Sequence, residues 1–266
     1  MPKPISFKID FDTHDLKIAG ISDRGSVRNE NQDYFIILDN QSNNLPDWCG
    51  AVVAVFDGAS GMENGSIAST RAAMHFLHAI QLHAYPVDDL NSLTETLRLI
   101  VQETHTLLKK DSFLFGFDLG TTIAAFIYNN IDMEQAHLIT VGDSSIYLST
   151  VESVKKLSKE DSFVDHLVAK EFISEDQAVN HPWSRVMTQV LGMQNEIDPN
   201  IKRVQVRRGD RIIIMTDGIT ETLSIADIEN IISSSTDINM MCDVFIKKAK
   251  LQYATDNITL TISELV

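Results

Sequence analysis

Four short stretches of the chain place an aspartate where chemistry could be done: Asn31-Gln32-Asp33, Val55-Phe56-Asp57-Gly58, Met215-Thr216-Asp217-Gly218 and Thr255-Asp256-Asn257. Asp57 and Asp217 follow the apolar runs Ala51–Phe56 and Ile212–Met215, which read as buried strands. A carboxylate at the end of a buried strand, with a glycine after it to let the backbone turn away, is an oxygen ligand on a rigid frame. Several such carboxylates, with no cysteine or histidine among them, suit magnesium or manganese rather than zinc. Without cations the cluster would repel itself, so these residues predict a metal-dependent hydrolytic site.

The elements that must carry these residues are legible as periodicities. Strands are expected at Leu16–Ile21, Tyr34–Leu38 and Ala51–Phe56, with a polar loop from Asp39 to Asp47 making the last two a hairpin. Two helices follow: Ala73, Phe76, Leu77 and Ile80 share one face of the first, and Leu93, Leu97, Ile100, Val101, Thr104 and Leu108 one face of the second. Tyr85-Pro86 separates them, and Asp88 or Ser92 is expected to cap the second. Strands return at Thr121–Tyr128, Glu134–Val141 and Ser145–Ser149, with Asn129-Asn130 read as a tight turn. A charged, weakly helical stretch runs from about Lys159 to Gly192. Strands at Ile201–Val206 and Arg211–Met215, helices near Ser224–Ile232 and Ile238–Lys250, and a last strand at Asn257–Ser263 complete the chain. Strands in runs and helices in pairs predict antiparallel sheets with helices outside, not alternating parallel α/β.

Composition narrows the function. The chain has 266 residues, is 44% apolar and carries a net charge of -15, which supports a sizeable core and disfavours nucleic acid and anionic membranes as partners. Cys49 and Cys242 form neither a metal spacing nor a disulfide framework. No signal-like or membrane-length apolar run is read, so a cytoplasmic location and a monomer are expected. His75 and His78 lack carboxylate support for a metal face and read as ordinary helix residues. Asp10-Phe11-Asp12-Thr13 superficially matches the Asp-x-Asp nucleophile of haloacid-dehalogenase-type phosphatases. However, His14 stands where that motif needs threonine or valine.

Six motifs stand in one order: Gly25-Ser-Val-Arg-Asn-Glu-Asn-Gln-Asp33, Val55-Phe-Asp-Gly-Ala-Ser-Gly61, Gly120-Thr-Thr122, Val141-Gly-Asp-Ser144, Thr216-Asp-Gly-Ile-Thr-Glu221 and Asp256-Asn-Ile-Thr259. Singly they are weak; together they resemble the metal-dependent serine/threonine protein phosphatases of the type 2C family, in their compact bacterial form, from about Gly20 to Thr261. The resemblance implies a four-layer α/β (α+β) sandwich of two facing antiparallel sheets flanked by helices. It also implies one domain over 1–266 with a flap at about 159–192. It makes Asp33, Asp57, Asp217 and Asp256, with the Gly58 carbonyl, the holders of two Mn2+ or Mg2+ ions. Asp143 with Asp217 would hold a third, weaker ion, and Arg28 the substrate phosphate. The implied reaction is in-line attack of a metal-activated water on phosphoserine or phosphothreonine in proteins, opposing a cytoplasmic serine/threonine kinase.

Two positions depart from the family's pattern. Animal members have a histidine, proposed as general acid, where this chain has Ala59; a water would then supply that proton. Many members have glutamate where this chain has Gln32, so one formal charge is missing beside the metals. The competing class is a non-catalytic type 2C-like module that binds phosphoproteins without turnover, and the intact aspartates count against it.

Overall fold

The apolar runs become strands covered on both faces. The computed structural model describes residues 6–12, 15–39, 45–59, 64–174, 177, 181–183 and 186–266; Gly61 and His14, named above, lie outside them. In chain order the elements are β1 (Ser6–Asp12), β2 (Leu16–Asp23), β3 (Asp33–Asp39), β4 (Cys49–Asp57), α1 (Gly65–Leu82), α2 (Leu90–Phe115), β5 (Ile123–Asn129), β6 (Gln135–Val141), β7 (Ser145–Ser149) and β8 (Val154–Lys156). Then come α3 (Phe163–Ala169), β9 (Asn200–Gln205), β10 (Arg211–Met215), the single turn α4 (Asp217–Thr220), α5 (Ile225–Ser234), α6 (Ile238–Leu251) and β11 (Ile258–Leu265). One sheet has the order β1-β2-β11-β10-β7-β8 and the other β3-β4-β5-β6-β9. All the strand pairs are antiparallel.

Alternation along the strands builds the layers, because successive side chains leave opposite faces. On β4, Val52, Ala54 and Phe56 face α1 and α2, whereas Ala51, Val53 and Val55 face the other sheet. On β10, Ile213 and Met215 face α5 and α6, whereas Ile212 and Ile214 enter the core between the sheets. Phe56 meets Phe76 of α1 edge-on at 6.1 Å between ring centroids. The four-layer sandwich expected from the sequence is therefore present, with three apolar interfaces stacked in series.

Local signals were read less well than periods. Asp89, rather than Asp88 or Ser92, caps α2: its backbone is extended and its carboxylate accepts from the Asn91 and Ser92 N–H groups. Ser92 instead donates its hydroxyl to Asp89 at 2.7 Å. The β5–β6 connection is not a two-residue turn. The Asn129 side chain organises a wider loop, accepting from the N–H groups of Ile131 and Asp132 and donating to the Gln135 carbonyl. The Asp10–Asp12 segment belongs to β1, an edge strand paired only with β2.

The topology brings distant residues to one end of the sandwich. Asp33 opens β3 and is the register partner of Asp57, which closes β4. Met215, last in β10, pairs both with Ser145 at the start of β7 and with Leu260 near the start of β11. The turns carrying Asp143, Asp217 and Asp256 therefore emerge side by side.

Candidate active site

The segments that carry the predicted aspartates are tied together by polar groups on neighbouring strand ends. The Asp57 backbone is clamped by the Gly120-Thr121-Thr122 segment. Its N–H donates to Thr122 Oγ1 at 3.1 Å, and its carbonyl accepts from the Thr121 hydroxyl at 2.7 Å and the Thr122 N–H at 2.8 Å. Thr122 Oγ1 lies 2.9 Å from Ser144 Oγ, next to Asp143, so these two carboxylates are tied through one hydroxyl pair. Asp33 Oδ2 accepts from the Thr216 hydroxyl at 3.1 Å, which joins the β3 end to the residue before Asp217. Asn31 Oδ1 accepts from the Asp33 N–H, and the Asn31 amide donates to Ser22 Oγ, itself 2.7 Å from Thr259 Oγ1.

Asn257 fixes the fourth carboxylate. Its amide donates to the carbonyls of Arg24 and Glu30, and its oxygen accepts from the Gln32 N–H, each at 2.8–2.9 Å. One side chain thus pins the loop between β2 and β3 against the turn that carries Asp256. Gly218 is required by the same packing: a Cβ there would sit 1.8 Å from the Asn257 carbonyl oxygen. The Asp-Gly pair is therefore an aspartate plus the absence of a side chain where two backbones touch.

The electrostatics show that the carboxylates share one field. Burial pushes Asp57 well above the usual carboxylate range, and Asp33, Asp217, Asp143 and Asp256 push it further. Asp217 is raised in the same way, by burial first and then by Asp143, Asp256 and Asp33. Asp33 is raised to about 7, chiefly by burial, and Asp143 to about 6 by burial and then Glu160. Positive charge among these acids would relieve their repulsion and favour the ionised form.

Arg28, assigned to the phosphate by resemblance, makes a contact that the sequence did not suggest. Its Nη2 donates to Asp256 Oδ2 at 2.6 Å, so the residue assigned to phosphate sits on a residue assigned to metal. That pair is partly exposed, 38% and 22% by side chain, and so is weak enough to exchange. Among the described residues the rest of the guanidinium fork makes no hydrogen bond. The Gly58 N–H is held by the Gln32 carbonyl at 3.2 Å. The Gln32 side chain lies over Gly65 at the start of α1. His75 belongs elsewhere: it contacts Asp111, which also takes a two-pronged bond from Arg71.

Among the described residues no three His, Cys, Asp or Glu groups already form a cage for a metal ion. Two of the carboxylates are turned to protein partners, Asp256 to Arg28 and Asp33 to Thr216. The donor set nevertheless fits a hard divalent cation: it is anionic, all oxygen, largely buried and mutually repulsive. Sequence reading missed the groups that aim these donors, namely Thr216, Asn257, Ser22 and Ser144. Their only signal was adjacency to an aspartate.

Comparison with known proteins identifies the family and the fold. The family model described as protein phosphatase 2C matches residues 26–250. The serine/threonine phosphatase stp of Listeria monocytogenes is 27% identical over 245 residues, 91% of this chain and 93% of the relative. The solved serine/threonine phosphatase of S. agalactiae superposes with a TM-score of 0.82 at 23% identity, over 94% of this chain and 100% of its own. The catalytic domain of the serine threonine protein phosphatase PstP, in complex with 2 manganese ions, gives 0.75 at 24% identity, over 95% and 99%. With a family model spanning residues 26–250 and a matching four-layer fold, the chain belongs to the protein phosphatase 2C family.

Proposed function

We propose that this chain is a metal-dependent serine/threonine protein phosphatase that hydrolyses phosphoserine and phosphothreonine in proteins and opposes a serine/threonine kinase. The observation that carries this reading is the convergence, at one end of the sandwich, of Asp33, Asp57, Asp143, Asp217 and Asp256, with Asp57 raised by all four of the others. The names of the similar proteins and the manganese in the PstP structure support it. In this reading residues 1–266 are one domain with a flap at about 159–192. Asp33, Asp57, Asp217 and Asp256, with the Gly58 carbonyl, hold two Mn2+ or Mg2+ ions, and Asp143 with Asp217 holds a third.

When bound, the ions neutralise the phosphate and supply a water acidic enough to attack near neutral pH. The chain's own residues do the rest. In their ionised form the aspartates would balance the positive charge, and the threonine and asparagine clamps keep them aimed. Arg28 exchanges Asp256 for the phosphate oxygens, which it can grip with two parallel N–H groups. Ala59 offers no proton, so the leaving alkoxide takes one from water. With water as the nucleophile attacking phosphorus in line, no covalent phosphoenzyme is needed.

The test is hydrolysis of a phosphothreonine peptide in manganese, magnesium or chelator. Turnover in either metal and none in chelator supports the reading. No turnover with either metal from folded protein would favour a phosphoprotein-binding module instead. Among the described residues no helix is long and apolar enough to cross a membrane.

A further inference from the structure

Two of the places where the segment between β8 and β9 is hydrogen-bonded back to the sandwich lie next to predicted site residues. At the first, Asp161 N–H donates to the Gly142 carbonyl at 2.9 Å, while Gly142 N–H donates to Asp161 Oδ2 at 3.0 Å. This closed pair of bonds grips the residue immediately before Asp143. The Asp161 carbonyl accepts from both the N–H and the hydroxyl of Thr188, at 2.6 and 2.8 Å, and its Oδ1 accepts from the Gln189 amide at 3.1 Å. At the second, Leu191 exchanges both backbone bonds with Thr121, whose hydroxyl holds the Asp57 carbonyl. Gly192 N–H donates to His105 Nδ1 at 3.0 Å.

Gly142 has little freedom of its own. It sits at φ 103°, and a Cβ there would lie 2.7 Å from the Thr122 side chain. The Asp161 carboxylate receives the Gly142 N–H and the Asp161 N–H holds the Gly142 carbonyl, in the peptide that leads into Asp143, so both sides of the turn rest on Asp161. The outward part of the segment carries α3 and presents Trp183, half exposed and edge-on to Phe163 at 5.3 Å. Residues 188 and 189, on the return from that surface, are bonded to Asp161, which in turn bonds the residue before Asp143.

We propose that Asp161 is a positioning residue that couples the flap to Asp143, one carboxylate oxygen setting the Gly142 turn and the other holding the flap's return strand through Gln189. The proposal rests on the phosphatase reading for its kinetic consequences, not for its structural one. It implies a division of labour between the two oxygens. Asp161→Asn keeps an oxygen for Gly142 N–H but sets an NH2 against the Gln189 amide. Gln189→Ala loosens the flap side and also loses the two bonds that the same side chain makes to Asp198, whereas Asp161→Ala removes both carboxylate contacts and leaves its backbone bonds.

The experiment compares these variants with the wild type in two readouts. Limited proteolysis of the metal-free protein should cut within residues 163–186 about tenfold faster in all three variants, as expected for losing a charge-assisted hydrogen bond. The manganese concentration for half-maximal hydrolysis of p-nitrophenyl phosphate should rise at least about tenfold in Asp161→Ala alone, since groups that orient metal ligands are worth that much. KM for a phosphothreonine peptide should rise in all three, with kcat for p-nitrophenyl phosphate unchanged in Asp161→Asn and Gln189→Ala. Wild-type cleavage rates in Asp161→Ala, or equal manganese shifts in Asp161→Ala and Asp161→Asn, would overturn the proposal. If Asp161→Ala does not fold, wild-type flap cleavage in Asp161→Asn overturns it and faster cleavage supports it, because that variant leaves the Gln189–Asp198 bonds in place. A wild type that hydrolyses neither substrate sinks the phosphatase reading, and the proteolysis arm still decides the coupling.

Discussion

Removing divalent metal should make this protein less stable as the pH rises through neutrality, and Asp33 should account for a measurable share of the loss. The Asp33 carboxyl is raised from 3.8 to about 7, by burial first. A group that binds its proton more tightly in the folded state stabilises the fold fully below its unfolded pKa, and that contribution is lost as the pH climbs through the folded value. Three units at about 1.4 kcal/mol each put the loss on the order of 4 kcal/mol between pH 4 and pH 7. For a chain of this size that corresponds to roughly 8–16 °C in melting temperature. Asp57, Asp217 and Asp143 move in the same direction, so the cluster titrates together and the wild-type slope belongs to all of them. Asp33→Asn removes one charge while keeping an oxygen for the Thr216 hydroxyl. In chelator, melting curves of wild type and Asp33→Asn taken from pH 5 to pH 8 should diverge, with the variant the more stable at pH 8. Added manganese should reverse the order, because cations that bind only the folded state stabilise it by mass action. Parallel curves across that range would refute the reasoning, since they would mean that folding does not raise the Asp33 carboxyl above its unfolded value.

Three further outcomes follow from the packing around the site. Asn257→Ala loses hydrogen bonds to Arg24, Glu30 and Gln32 together and should cost about 2–4 kcal/mol in a urea titration, with a weaker manganese response. Gly218→Ala forces a methyl into the Asn257 carbonyl, 1.8 Å away, and should cost about 3 kcal/mol or fail to fold; thermal melting reads this directly. Arg28→Lys keeps the charge but loses the fork, so KM for a phosphothreonine peptide should rise about tenfold while the melting temperature stays near wild type.

How much was readable in advance divides along physical lines. β4, β5 and β10 announce themselves as uninterrupted apolar runs because sheet and helices cover both faces, and the faces of α1 and α2 follow from their 3.6-residue period. β8, three residues long and largely polar, gives no such signal, and the Asn129 loop and the Asp89 cap turn on single side-chain hydrogen bonds that periodicity does not encode. In the site, Asp57 and Asp217 were legible because a carboxylate after a buried strand is costly without a reason. The Arg28–Asp256 contact joins residues 228 positions apart, and Asp161 acts through a backbone amide; only tertiary structure supplies such partners.

The central claim is that four aspartates from both ends of the chain form one binding site for divalent cations. A calorimetric titration of the metal-free protein with manganese tests it without reference to turnover. The account predicts at least two ions bound by wild type, and loss of that binding in Asp57→Asn and in Asp217→Asn, with both variants still folded. Unchanged binding in either variant, or no binding by the wild type at millimolar manganese, would contradict it.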